Sequence, residues 1–401
     1  MICRAPEPSR RTLVFFDFVT HLGGAQRSTV ATCRALLADC RVRVVDPYGA
    51  CEPWVQAIQE AGIPVEVLMP QSGSCFIGHE GRPFRRALGL LAQIGQHGRL
   101  SLHLAESLER LRPDWVLTNS PKALALLWLA GAFTRYRVVF YARGWYQRGQ
   151  VSAVERHLIR KAHGVLAVSR ATAASLQAWG VAPHRIHVVY TLIEPEELDR
   201  LSREGLATRP PRLDGPCRIL LPGQLVHTKG QDTALCAASL LKERGLDFVL
   251  WLAGDVKAGG DTGYRRDLAE QIHRRGLEDR VFLLGHRTDV PALMRSADMV
   301  ILPTLTEGLP RAVWEAQTLG CPVIATPVGG VPDLVEDGKT GLLVSPGEGQ
   351  ALAEAILRLW QDAALRRRIS RAAAAHIRSE FPYGRQREAL RRALEQIGGG
   401  V

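Results

Sequence analysis

Thirteen short apolar runs, most of them separated by helical stretches, restrict this 401-residue chain to a layered α/β architecture. Seven fall in the first half: TLVFFDFV (12–19), VRVVD (42–46), PVEVLM (64–69), DWVLT (114–118), RVVFYA (137–142), GVLAVS (164–169) and RIHVVYT (185–191). A polar, Pro-rich stretch from Glu194 to Pro216 interrupts the pattern, which then restarts. CRILLPG (217–223), FVLWLAGD (248–255), RVFLLG (280–285), MVILPT (299–304), PVIAT (322–326) and GLLVSP (341–346) form the second set. Near-continuous apolar runs of this length suit parallel strands covered on both faces. The expectation is two doubly wound, Rossmann-like domains, 1–195 and 216–380, with a linker at 196–215 and a C-terminal helix, 381–401, packing back on the first domain. Ligands are then expected at the carboxyl ends of the strands, in a central cleft that the two domains face.

Composition narrows the function classes. An apolar content of 46% over 401 residues is ample for two cores. The longest purely apolar stretch, ALALLWLAGAF (123–133), is about half of the ~20 residues a bilayer needs and reads as a buried helix. MICRAPEPSRR at the start has basic residues but no signal-peptide core behind it, which points to the cytosol. Cysteines at 3, 33, 40, 51, 75, 217, 236 and 321 show no CxxC pair and no metal-ligand spacing, and are expected to be reduced and mostly buried. The net charge of +11 is uneven: residues 1–200 carry 24 Lys/Arg against 16 Asp/Glu, and 201–401 carry 27 against 24. Arginines at 82, 85, 86, 99, 110 and 112 interleave with Leu88, Leu91, Ile94, Leu100, Leu104, Leu108 and Leu111. That is either a solvated helix face or a basic amphipathic surface suited to anionic lipid. No nucleic-acid motif accompanies the charge, so nucleic acid is not an expected partner.

Four places supply candidate cleft residues. In EGLPRAVWE, Glu307 precedes Pro310, where a helix starts, and Glu315 lies inside that helix, which stops at Gly320 and Pro322. A helix start fed by a strand offers free N–H groups and a positive dipole end to a phosphate, and flanking carboxylates can hold hydroxyls, a combination suited to a nucleotide sugar. HLGGAQRS (21–28) sets Gly23 and Gly24 before a helix, and GQLVHTKG (223–230) carries Lys229. TPVGGVPDLVEDGKTG (326–341) is a Gly-rich loop after a strand. Each has a plainer reading as turn chemistry, a solvated lysine or acids that merely complement a helix dipole.

Together these motifs resemble the retaining glycosyltransferases of family four, which have the GT-B fold. The resemblance covers nearly the whole chain and is most specific in SADMVILPTLTEGLPRAVWEAQTLGCPVIATPVGGVPDLVEDGKTGLLVSP, with its Glu-x7-Glu motif, following strand and GG-x-P-acid loop in order. It implies that Glu307 meets the hydroxyls of the transferred sugar and Glu315 the ribose of the nucleotide. N–H groups of Gly308, Leu309 and Arg311 would face the β-phosphate, Lys229 would bind phosphate, and Gly23 and Gly24 would close over the diphosphate. Three departures stand out. Gln224 occupies the place of the family's usual Arg, losing a permanent charge and a bidentate donor. Arg143 and Gly144 stand where the family often has His-Gly, so Arg143 either supplies that cation, binds an acidic acceptor or serves as an ion-pair partner. YTLIEP (190–195) replaces an Asn-Gly-x-Asp sequence, and Asp333 replaces a more usual Glu and has no assigned role. His21 fits packing better than acceptor contact, and Trp145 and Tyr146 either stack on a sugar ring or fill the domain surface.

The implied reaction moves a sugar from a nucleoside diphosphate sugar to a hydroxyl of a glycan or lipid-linked acceptor with configuration retained, in cell-surface polysaccharide or lipopolysaccharide synthesis. Catalysis would rest on Glu307, Lys229 and Arg143, with donor contacts from Gly23, Gly24, Gln224, Lys229, Gly308, Leu309, Arg311 and Glu315. No cofactor and no metal are expected, since no Asp-x-Asp pair is present. The expected location is the cytoplasm, with peripheral contact at the inner face of the cell membrane. A nucleotide-sugar epimerase of the same fold and a catalytically weak nucleotide-sugar-binding protein are the alternatives; the first needs an acid/base set not evident here, and the second follows from Gln224.

Overall fold

The computed structural model describes residues 10–70, 83–146, 151–204, 215–256 and 262–399, with the backbone alone for 83–94. Its contacts divide into two units. One holds Met1–Val168, Thr172–Leu192 and Arg387–Val401; the other holds Ser169–Ala171 and Ile193–Gln386.

The first unit is built on a seven-stranded parallel sheet of β1 (Thr12–Phe16), β2 (Arg41–Asp46), β3 (Val65–Val67), β4 (Trp115–Thr118), β5 (Arg137–Ala142), β6 (Gly164–Ala167) and β7 (Ile186–Val188), in the order β3-β2-β1-β4-β5-β6-β7. Leu13 pairs with Val42 on one side and Trp115 on the other, so β1 is central and buried on both faces. The reversal of strand order beside β1 creates the crevice at which doubly wound sheets hold ligands. Leu100, Leu104 and Leu108 of helix Pro83–Leu111 are buried in this core, whereas Arg99 is exposed and Arg110 pairs with Glu66. The remaining apolar and basic positions expected on that helix at 82–94 have side chains outside the described residues. The 123–133 run splits at Gly131 into helices Pro121–Leu129 and Ala132–Arg135, with Leu124 and Leu127 buried and Trp128 58% exposed.

The second unit carries a six-stranded parallel sheet: β8 (Cys217–Pro222), β9 (Phe248–Ala253), β10 (Val281–Gly285), β11 (Met299–Leu302), β12 (Val323–Ala325) and β13 (Leu342–Leu343), ordered β10-β9-β8-β11-β12-β13. Its order again reverses beside β8, placing the loops after β8 and β11 next to each other. The stretch expected as a linker contains helix Pro195–Glu204, whose Leu198 and Ser202 are buried. Arg295 donates to Asp199 and to Ser202 Oγ, fixing the helix within this unit. Residues 205–214 of the expected linker lie outside the described residues. Strand ends fall short of the apolar runs where a side chain captures the next amide. Asp17 Oδ1 accepts from Phe18 N at 2.8 Å just after the last residue of β1, and Asp337 Oδ1 accepts from Leu343 N at 2.8 Å, satisfying an amide of β13. All six described cysteines are free; burial pushes Cys33 and Cys321 up to about 12, so they are inert apolar fillers.

Candidate functional site

In the second unit the loop between β8 and helix Gln231–Glu243 makes one wall of the candidate site. Gly230 adopts φ +74, and a Cβ there would lie 1.9 Å from the carbonyl oxygen of Pro303, so glycine alone permits this approach of the loop to the segment after β11. Two further bonds secure the same contact: Thr304 Oγ1 donates to Thr228 O at 2.7 Å and Leu305 N to Thr228 O at 2.8 Å. The 3-10 turn His227–Lys229 is thereby fixed beside the Glu307 loop. Lys229 Nζ pairs with Glu307 Oε1, side chains 26% and 10% exposed. Partial burial makes this pair a costly feature for stability alone, because desolvation offsets much of the attraction.

Helix Arg311–Thr318 makes the other wall. Pro310 is its N-cap and supplies no side-chain cap, so the first amides of the helix have no acceptor from that residue's side chain. Val313, Trp314, Ala316 and Gln317 bury one side of the helix, and Gln317 Nε2 donates to Leu334 O and Thr340 O at 3.1 Å each. This leaves Arg311, Ala312 and Glu315 on the half-buried face. Arg311 Nε and Nη2 stand 3.1 and 2.9 Å from Glu315 Oε1, which holds the carboxylate in one orientation. Gly308 and Leu309 are buried, pressed by the Gly-rich loop after β12: a Cβ on Gly330 would meet Gly308 O at 2.3 Å. Glu307, Gly308, Leu309, Arg311, Glu315 and Lys229 thus converge on one helix start. Gln224 lies on the same β8 loop, with its carbonyl accepting from Gln231 Nε2 at 2.9 Å.

The first unit has its own polar cluster at the carboxyl ends of β1, β4 and β5. Gly23 is the N-cap of helix Gly24–Leu36, and its N–H donates to Gln26 Oε1 at 3.2 Å; no acidic residue occupies the first turn. Arg143 stacks on Tyr141, guanidinium 3.6 Å from the ring centroid, and Nη2 donates to Thr32 Oγ1 at 3.1 Å. Asn119 links Arg143 to Thr29, its Oδ1 3.5 Å from Arg143 Nε and its Nδ2 donating to Thr29 Oγ1 at 2.8 Å. Asp17 completes the cluster, 5% exposed. Burial pushes its carboxyl up to about 7; amides of Phe18 and Asn119 and the charge of Arg143 pull it down, and Asp46 pushes it further up. Since the folded state binds this proton more tightly than the unfolded chain, its stabilising effect is complete below about pH 3.8 and is lost as pH rises through about 7. The expected result is a fall in unfolding free energy between pH 5 and 8 that is smaller in Asp17→Asn, read from denaturant unfolding at both pH values; equal falls in the two proteins would refute it.

Two family models match the chain: Glycosyltransferase Family 4 over residues 22–197 and Glycosyl transferases group 1 over residues 208–376. The chain belongs to the group 1 glycosyltransferases. Its two parallel sheets are those of the GT-B fold, and Anabaena Alr3699/HepE in complex with UDP and glucose aligns with a TM-score of 0.80 over 96% of this chain and 99% of its own, at 24% identity. Among curated relatives, alpha-D-kanosaminyltransferase of Streptomyces kanamyceticus is 30% identical over 61% of this chain and 63% of its own length. The amylovoran biosynthesis glycosyltransferase AmsK of Erwinia amylovora is 31% identical over 58% and 56%. The matches to these relatives thus span less than two thirds of their lengths. No helix of the described residues is long and apolar enough to cross a membrane.

Within this chain the residues singled out by motif fall into two groups by unit. The second unit brings together Lys229, Glu307, Gly308, Leu309, Arg311 and Glu315, while Gly23, Gly24 and Arg143 belong to the first. Sequence reasoning passed over Asp17, Asn119 and Gln231. Asp17 carried a usable signal, an acid inside the apolar run TLVFFDFV at a strand end; Asn119 and Gln231 carried none, because their partners are 24 and 7 residues away in loops without periodicity.

Proposed function

We propose that this protein is a retaining glycosyltransferase that moves a sugar from a nucleoside diphosphate sugar to a hydroxyl of a glycan or lipid-linked acceptor. The observation that carries the reading is the pairing of Lys229 with Glu307 just before helix Arg311–Thr318, with Glu315 on the half-buried face of that helix. A diphosphate at that helix start meets backbone donors of Gly308, Leu309 and Arg311, the dipole and one ammonium, while carboxylates lie close enough to take sugar and ribose hydroxyls. Glu307 is assigned to the transferred sugar and Glu315 to the ribose. Gln224 adds a neutral donor to the phosphates, so Lys229 is the main cation there. In the first unit, Gly23 and Gly24 are assigned to donor phosphate and Arg143 to negative charge on substrate.

In the reaction the bond from the anomeric carbon to the β-phosphate oxygen breaks, its electron pair staying on the phosphate. The acceptor oxygen forms the new bond on the same face, and its proton passes to a phosphate oxygen, so no protein base is needed. Charge grows on the departing diphosphate while the sugar becomes cation-like. Fixed amides and Lys229 therefore stabilise the transition state more than the ground state. Cell-surface polysaccharide synthesis, with peripheral contact at the inner face of the membrane, is the proposed setting; the basic excess of residues 1–200 and the amylovoran-biosynthesis relative support it.

The test is incubation with a panel of α-linked nucleotide sugars and hydroxyl acceptors, reading released nucleoside diphosphate and the anomeric coupling of the product by NMR. An α-linked product is expected. A β-linked product would refute retention, and an isomerised free nucleotide sugar would assign an epimerase instead.

A further inference from the structure

Gln231 is a fully buried polar side chain at the first position of helix Gln231–Glu243, where an apolar residue would fill the space as well. Its amide nitrogen makes a full hydrogen bond, and its amide oxygen shares the single proton of a tyrosine hydroxyl with Asp232. Nε2 donates to the carbonyl oxygen of Gln224 at 2.9 Å, and Oε1 lies 3.3 Å from the hydroxyl of Tyr264. That hydroxyl donates more closely to Asp232 Oδ2, at 2.8 Å, and Asp232 Oδ1 accepts from Gln271 Nε2 at 2.8 Å. Burial pushes the Asp232 carboxyl up, but the donors Gln271, Tyr264 and His227 outweigh it and hold it below the usual carboxylate range. Asp232 is therefore a fixed anion, and Tyr264 keeps its proton, pushed up by burial and by Asp232.

The chain Gln271, Asp232, Tyr264, Gln231 ends on the peptide of Gln224. Neighbouring amides of the same loop are tied to the end of β9 and to Asp255 two residues beyond it: Gly223 N donates to Ala253 O at 3.0 Å and Leu225 N to Asp255 O at 3.1 Å. The imidazole of His227, two residues before Lys229, lies with its ring centroid 4.0 Å from that of Tyr264 and Nδ1 3.3 Å from Asp232 Oδ2. The network thus holds the segment from Gln224 to Lys229 at Gln224 and at His227.

We propose that Gln231 and Tyr264 are positioning residues, holding the Gln224–Lys229 loop in the shape in which it receives the donor diphosphate. This rests on the assignment of Lys229 to the diphosphate. Neither side chain touches substrate; each acts through the loop backbone. A residue that only stabilised the fold would change unfolding and leave nucleotide affinity alone.

The experiment measures by calorimetry the affinity for UDP, GDP and ADP in the wild type, Lys229→Ala, Gln231→Leu, Tyr264→Phe and the double variant Gln231→Leu/Lys229→Ala, with thermal unfolding of each. For whichever nucleotide binds the wild type, Gln231→Leu is expected to weaken binding about fivefold, the worth of one net hydrogen bond. Tyr264→Phe, which keeps the ring and its packing on His227, is expected to weaken it by about half as much on a logarithmic scale. In the Lys229→Ala background Gln231→Leu is expected to add less than about twofold, because the group it positions is gone. Wild-type affinity in both Gln231→Leu and Tyr264→Phe, or a Gln231→Leu loss that multiplies undiminished onto Lys229→Ala, would overturn the proposal. Wild-type affinity in Lys229→Ala would instead remove the diphosphate assignment beneath it, a separate outcome.

Discussion

Replacing Lys229 by alanine is expected to slow sugar transfer ~10²–10³-fold, the usual cost of removing one preorganised donor from a developing oxyanion. Two features put this variant at the severe end. Gln224 brings no charge to the neighbouring position, so no second cation on the same loop takes over. Glu307, 10% exposed, would lose its counter-charge and stand as an unpaired carboxylate beside the phosphates, adding repulsion to the missing attraction. The loss should appear in kcat at saturating donor as well as in kcat/KM, because the charge it answers grows in the transition state. Lys229→Arg restores the charge without the compact ammonium and should recover part of the rate. A near wild-type rate in Lys229→Ala would mean that Gln224 and the helix start suffice.

Separation of the two glutamates is the second large effect. Glu315→Ala should weaken binding of free nucleoside diphosphate by about ten- to a hundredfold, the range for losing a hydrogen bond to a charged group. Glu307→Ala should leave nucleotide affinity within about twofold while cutting transfer by ~10²-fold, since its assigned contact is to the sugar rather than to the nucleotide. Equal effects of both variants on nucleotide affinity would contradict the division of roles.

Much of this was legible in the residues because parallel strands covered on both faces leave near-continuous apolar runs; each of the thirteen runs contains a strand. Their ends were not legible, since a side-chain bond such as that of Asp17 to Phe18 N after β1 leaves no periodic trace. Helix Pro195–Glu204 shows the converse. Its polar composition resembled a linker, yet Pro195 followed by Glu196 and Glu197 is a helix-start pattern that composition alone concealed. For the candidate site, motif spacing located Glu307, Glu315 and Lys229, but the contact between Lys229 and Glu307 spans 78 residues and depends on Gly230 meeting Pro303 O. Long-range polar bonds such as Gln231 to Gln224 O, or Arg143 to Thr32 over 111 residues, have no local signature.

The most direct measurement is a calorimetric titration of the wild type and Glu315→Ala with UDP, GDP and ADP. A nucleoside diphosphate site at the start of helix Arg311–Thr318 predicts saturable binding of at least one of them to the wild type and an affinity at least about tenfold weaker in the variant. No binding by any of the three, or the same affinity in both proteins, would contradict it.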